Sequence, residues 1–317
     1  MKRKHIRVQQ NGQGCVSTPA PSPGVPALLL SSLLALAALA WAYWPVLVSL
    51  FKDWQASDEY SVGQLVPLVA LYLLWHDRAR LKACRVAPCW WGIGLILLGQ
   101  AARGYGLLMM MESVERYSLV LTIAGLVLLI AGWQVFRKAV WIQLILLLMV
   151  PLPNRIHNLM SGPLQTQAAS GAYFLLELFG VSVAREGNVL VLNRSVHIAV
   201  AEACSGLRML TAFVLVAATL AYVVRRPRWQ KVTLLLSSIP VGIVCNLLRL
   251  LVTALLYMAV SSEMAEKFFH DFAGLIMMPL AVLLLVGELV LMKKLVVPDA
   301  AGQPPAATKA DKTVPKG

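Results

Sequence analysis

The chain has 317 residues, of which 59% are hydrophobic and 14% charged, and its mean hydropathy is +0.71. A soluble domain carries about a quarter charged residues, so this composition excludes an ordinary soluble globule and indicates an integral membrane protein. The formal net charge of +13 does not indicate a nucleic-acid partner, because the basic residues form short clusters between apolar runs, as topology-fixing loops do.

Residues 1–26 hold Lys2, Arg3, Lys4 and Arg7 and then a Pro/Ser/Gly-rich stretch, read as a disordered basic tail. The first apolar run exceeds a signal-peptide core and lacks a small-residue cleavage site, so it is read as a retained span. Apolar runs occur at about 27–51, 62–75, 90–111, 118–136, 139–153, 206–224, 232–260 and 272–292. Because ~20 helical residues cross a ~30 Å hydrocarbon core, these runs predict an all-α integral membrane protein, a bundle of about eight transmembrane helices. The second and fifth are short and rely on Trp75 and Trp141 as interfacial anchors. The fifth, which ends at Pro151-Leu-Pro153, is the weakest of the eight, and without it the count is seven. The polytopic domain is set at 27–296, followed by a second disordered tail at 297–317 that is rich in Pro, Ala, Gly and Lys.

Between the fifth and sixth runs lies a longer segment, 154–205, expected on the outer membrane surface. Gln165–Gly180 has a helical apolar face and a glycine stop. Asn188–Val200 alternates in part and predicts a short hairpin with a turn near Asn193-Arg194. With the N-terminus inside, most basic residues fall on the inner side, including Arg78, Arg80, Lys82, Arg137, Lys138, Arg225, Arg226, Arg228 and Lys231. The outer segments hold only Lys52, Arg116, Arg155, Arg185, Arg194 and Lys267. This asymmetry predicts both termini in the cytoplasm of a multi-pass inner-membrane protein.

Cys15, Cys84, Cys89, Cys204 and Cys245 are odd in number and lack metal-site spacing, so no metal and no cofactor is expected. Cys84 and Cys89 flank a proline in a loop placed in the cytoplasm, where thiols stay reduced. Cys204 differs from the rest. It precedes Ser205-Gly206 at the start of an apolar helix, where unpaired N–H groups and positive potential favour a thiolate and receive an oxyanion. Arg208 is four residues on and shares its helical face.

Arg249 stands inside the apolar run 232–260, ~26 Å along from a cytoplasmic start and therefore in the outer leaflet. A span arginine costs at least ~2.5 kcal/mol, so it is expected to face the bundle interior and hold an anion or polar group. Asn246 is three residues earlier on the same face. His270 heads the last run, placed to take a thiol proton and return it to a leaving amine. His157 and His197 are also on the outer side and remain alternatives for that base. A thiol, a guanidinium and an imidazole at one membrane face point to covalent acyl transfer.

Ala203-Cys204-Ser205-Gly206-Leu207-Arg208, Asn246-Leu-Leu-Arg249, and Phe269-His270 with Gly274 resemble the cysteine, arginine and histidine motifs of the exosortase/archaeosortase family. Asp58-Glu-Tyr-Ser-Val-Gly-Gln-Leu-Val-Pro67 is similar to that family's early signature, with Val62 where the family often has histidine. The resemblance spans most of 30–292 and implies a Cys-Arg-His active site facing the periplasm or exterior. By position, Cys204 is then the nucleophile, His270 the general acid/base and Arg249 the group stabilising the tetrahedral intermediate, with Arg208 and Asn246 binding substrate. The implied partners are secreted proteins with a C-terminal sorting signal: a short motif often containing Pro-Glu-Pro, a transmembrane helix and a basic cluster. Rival readings are a transporter that binds an anion through Arg249 and Arg208, and a non-catalytic component of envelope or exopolysaccharide assembly. A membrane thiol oxidoreductase is a third, but Cys204 has no partner cysteine nearby in sequence.

Overall fold

The structure is a computed structural model that describes residues 25–84, 86–192, 196–199, 206–259 and 273–295. Cys204, His270 and, but for residues 25 and 26, both expected tails lie outside the described residues. The chain folds into eleven described helices and one small sheet. The helices are α1 (Val25–Ala42), α2 (Trp44–Ala56), α3 (Leu65–His76), α4 (Arg78–Lys82), α5 (Trp91–Leu108), α6 (Glu112–Ala131), α7 (Trp133–Leu146), α8 (Asn154–Leu178), α9 (Leu207–Val223), α10 (Arg228–Ala259) and α11 (Ala273–Leu295). A 3-10 helix, Asp58–Gln64, joins α2 to α3.

Among the described residues α6 and α10 are long and apolar enough to cross a membrane. Two bent pairs also qualify if each is one span: Ser32–Ala42 with Trp44–Ala56, bent by 66°, and Trp133–Met149 with Asn154–Leu178, bent by 81°. Helix α9 is apolar but shorter. Leucines such as Leu236 and Leu248 of α10 face outward, as a lipid-facing helix requires.

The breaks follow local chemistry. The first apolar run, expected as one helix, turns at Tyr43, because Pro45 in the first turn of α2 supplies no N–H to the preceding helix. Tyr43 uses the break: its hydroxyl lies 2.8 Å from Thr122 Oγ1 and 3.1 Å from Ser118 Oγ on α6, and Gln100 Nε2 of α5 donates to it at 3.1 Å. The fourth run, expected at 118–136, is instead a helix ending at Ala131. Gly132 has φ +84°, and a Cβ there would overlap Ala87 O, so the chain turns at this point. Arg137 and Lys138 consequently sit within α7 rather than in a loop. After Leu147–Met149 the chain bends between Pro151 and Pro153 into α8, which starts at Asn154, earlier than the helix expected from Gln165.

Helices α5 and α6 pack closely through glycine. A Cβ at Gly92 would lie 2.5 Å from Leu129 N, one at Gly99 2.5 Å from Thr122 Oγ1, and one at Gly106 2.9 Å from Glu115 N. The expected hairpin is present as β2 (Val189–Leu192) and β3 (Val196–Ala199), with Leu190 opposite Ile198. A further strand, β1 (Val183–Glu186), completes an antiparallel sheet of order β1-β2-β3. It turns into β2 through Gly187 at φ +64° followed by Asn188, the arrangement of a type II′ turn.

Three apolar cores hold the bundle. Tyr43, Leu50, Val66, Leu119, Ile142 and Leu215 join α1–α3 to α6, α7 and α9. Leu190 and Leu192 of β2 bury against Ala169, Ala172 and Leu176 of α8 and against Leu250 and Ala254 of α10. Phe213, Leu234, Ala281 and Leu285 join α9, α10 and α11. Cys84 and Cys245 are free and buried, whereas Cys89, expected as a reduced thiol, is disulfide-bonded. Local spacing carries no signature of such a bridge.

Candidate active site

The residues from the cysteine and arginine motifs that the structure describes are neighbours. Helix α9 begins at Gly206, whose φ of +68° places it in the left-handed region that glycine enters without strain. That conformation lets the backbone at Gly206 lead into the first turn of α9. A Cβ on Gly206 would lie 3.3 Å from Asn246 Nδ2 and 3.9 Å from Leu164 Cβ. The carboxamide of Asn246 therefore lies over the N-terminus of α9, two residues beyond Cys204, and α8 closes the third side.

Asn246 is only 4% exposed, and its Oδ1 has no hydrogen-bond partner among the described residues. Such an acceptor calls for a donor, since an unmet buried polar atom costs about 1–3 kcal/mol. Arg249 follows three residues later on the same face of α10, half-buried, with Nε sealed from solvent. One turn on, Thr253 Oγ1 donates to Arg249 O at 2.8 Å and fills that backbone carbonyl's second acceptor site. Arg208 is half-buried in the first turn of α9, where Thr211 Oγ1 donates to its carbonyl at 2.9 Å. Gly206, Arg208, Asn246 and Arg249 are thus brought to one region; Cys204 and His270 are not among the described residues.

A second polar cluster lies on the 3-10 helix, which packs against α9. His157 Nε2, near the start of α8, is 2.8 Å from Glu59 Oε2, with the Tyr60 ring 6.1 Å away and tilted. Burial pushes the Tyr60 hydroxyl above its usual range, and the Glu59 and Asp53 carboxylates add to that while Arg116 opposes it. Arg116 is 6% exposed and holds the α2 end of this region. It pairs with Asp53 and Glu112 at 2.6 Å each and donates from Nε to Ser49 Oγ at 3.2 Å. Trp54 Nε1 donates to Met149 O at 3.0 Å, and Gln64 Nε2 donates to Trp54 O at 3.0 Å. Val62 of the same 3-10 helix is 7% exposed and belongs to the first apolar core. The Glu59–His157 pairing had only a weak sequence signal, because 98 positions separate its members. His197 is on β3 and is exposed.

The opposite end of α9 is basic. Tyr222 donates to Asp77 Oδ2 at 2.5 Å, Arg80 lies 3.5 Å from Asp77 Oδ1, and Lys138 Nζ donates to Arg80 O at 3.4 Å. Since α9 has 17 residues, Gly206 is about 25 Å from this basic end.

The helices that can span a bilayer, their lipid-facing leucines and the polar groups enclosed among them define a multi-pass membrane protein. The model of the transmembrane exosortase family matches residues 54–287, and the chain belongs to that family. Comparison with curated proteins and with solved structures gives no match. Family membership supports a membrane transpeptidase or protease role in general.

Proposed function

We propose that this chain is a membrane-embedded cysteine protease/transpeptidase. It takes secreted proteins bearing a C-terminal sorting signal (short motif, transmembrane helix, basic cluster), cleaves the signal through a thioester on Cys204 and passes the product to an acceptor. The observation that carries this reading is the approach of Asn246 to Gly206: it seats the arginine motif of α10 against the helix start that follows Cys204.

In this reading the signal helix enters the bundle from the lipid. The Cys204 thiolate attacks the scissile carbonyl, and the developing oxyanion is stabilised by Arg249 and the N–H groups of the α9 start. Collapse breaks the C–N bond, and His270 protonates the departing amine, leaving an acyl thioester. Water or an amine then attacks the thioester and returns the thiolate. Asn246 Oδ1 accepts a substrate backbone N–H, the donor that its burial calls for, and Arg208 contacts the carbonyl or acidic signal residue. Basic residues collected about 25 Å from Gly206 support a cytoplasmic placement of that end and an outward-facing site.

The test is co-expression with a cognate signal-bearing substrate. Cys204→Ala is expected to abolish processing. His270→Ala and Arg249→Ala are expected to lower it by 10²-fold or more, in line with loss of an acid/base or oxyanion group. Hydroxylamine-sensitive adducts should form on wild type alone. Normal processing by Cys204→Ala overturns the proposal.

A further inference from the structure

A cleft between α5, α6 and α7 has no part in that chemistry. Its volume is about 570 Å³ and its walls are Trp91, Gly94, Leu95, Leu98, Leu128 and Trp133, with Phe136 stacked on Trp133 at 5.7 Å. It extends along α5 from Trp91 to Leu98, about 10 Å. The glycines of α5 divide by role here. Gly92, Gly99 and Gly106 close against α6, whereas a Cβ on Gly94 would meet nothing within 4 Å. Gly94 leaves open space in the wall.

Walls of indole, phenyl and leucine are overwhelmingly apolar and offer water few hydrogen-bond partners, so the cleft favours an apolar occupant. The charges on α7 one turn beyond the cleft's Trp133 indicate what that occupant carries. Arg137 follows Trp133 by four residues on the same face of α7, is exposed, and has no anionic partner among the described residues. Lys138 is bonded to Arg80 O, and the Asp77 carboxylate is already engaged by Tyr222 and Arg80. Tryptophans at the rim suit the headgroup level of a bilayer. We infer that this cleft is a binding site for one anionic phospholipid, its acyl chain lying along Leu95 and Leu98 and its headgroup phosphate held by Arg137.

The experiment uses the full chain in bicelles containing equal amounts of phosphatidylglycerol and phosphatidylcholine, followed by native mass spectrometry. Wild type should retain one phosphatidylglycerol in at least tenfold preference to phosphatidylcholine. Arg137→Gln should abolish the preference. Gly94→Phe, whose Cβ meets nothing within 4 Å, puts a ring into the cleft and should abolish retention. Leu98→Trp, which narrows the cleft from the next turns of α5, serves as the second variant and should act likewise. Equal retention of both lipids by wild type, unchanged retention in the filled variants, or a second copy of the chain crosslinked through the cleft would overturn the inference. Substrate processing need not change in any of these variants, so the outcome is separate from that of the Cys204 test.

Discussion

Single residues set the shape of the proposed site. Gly206 adopts φ +68°, so Gly206→Ala should cost about 1–2 kcal/mol in backbone strain. Its methyl group would also press on Asn246 at 3.3 Å. The expected outcome is a modest fall in melting temperature in detergent and a much larger fall in substrate processing. Equal processing by the variant would show that Asn246 does not need its place over α9. Tyr60 provides a different reading. Its folded-state hydroxyl titrates above the ordinary 10.0, so above pH 10 the unfolded chain loses this proton while the folded chain keeps it. Stability present below pH 10 is therefore lost as pH rises further. Melting followed between pH 9 and 11 should show this decline, and Tyr60→Phe should reduce its slope.

At the scale of elements, the α5–α6 contact rests on how near two backbones come. Gly92→Ala meets backbone at 2.5 Å on α6, which cannot rotate away, and should destabilise by about 1–3 kcal/mol. Gly104, on the same helix, has nothing within 4 Å of an added Cβ, so Gly104→Ala should stabilise by roughly 0.5–1 kcal/mol through helix propensity. Thermal melts of the two variants check both signs together. The sequence showed the apolar runs because hydropathy alone defines them. It did not show where helices stop, because Pro45 and Gly132 lie inside runs that stay apolar across the break. The β1–β2 turn was within reach: Gly187-Asn188 is a recognised hairpin dipeptide, but the segment before it carries Arg185 and Glu186 and lacks strand alternation.

For the whole molecule, described residues of the cysteine and arginine motifs meet at one end of α9. Gly206 and Asn246, 40 positions apart, meet across α9 and α10 because the two helices run back against each other after the turn at Arg225–Pro227. Antiparallel neighbours of known length make such pairings legible from sequence. Glu59 with His157 and Tyr43 with Thr122 were not legible in this way, since their helices come together only through the packing of several others. The family match over residues 54–287 agrees with the stretch on which the three motifs were read.

Leu190 and Leu192 of the sheet are fully enclosed by the same side chains that fix α8 to the C-terminal half of α10. The small sheet and the arginine-bearing helix are therefore expected to open together in hydrogen exchange. A nick or insertion that frees β2 would expose leucine, loosen α10 at Leu250 and let Arg249 drift from its station. In this fold the small sheet acts as a clamp on the helix it packs against.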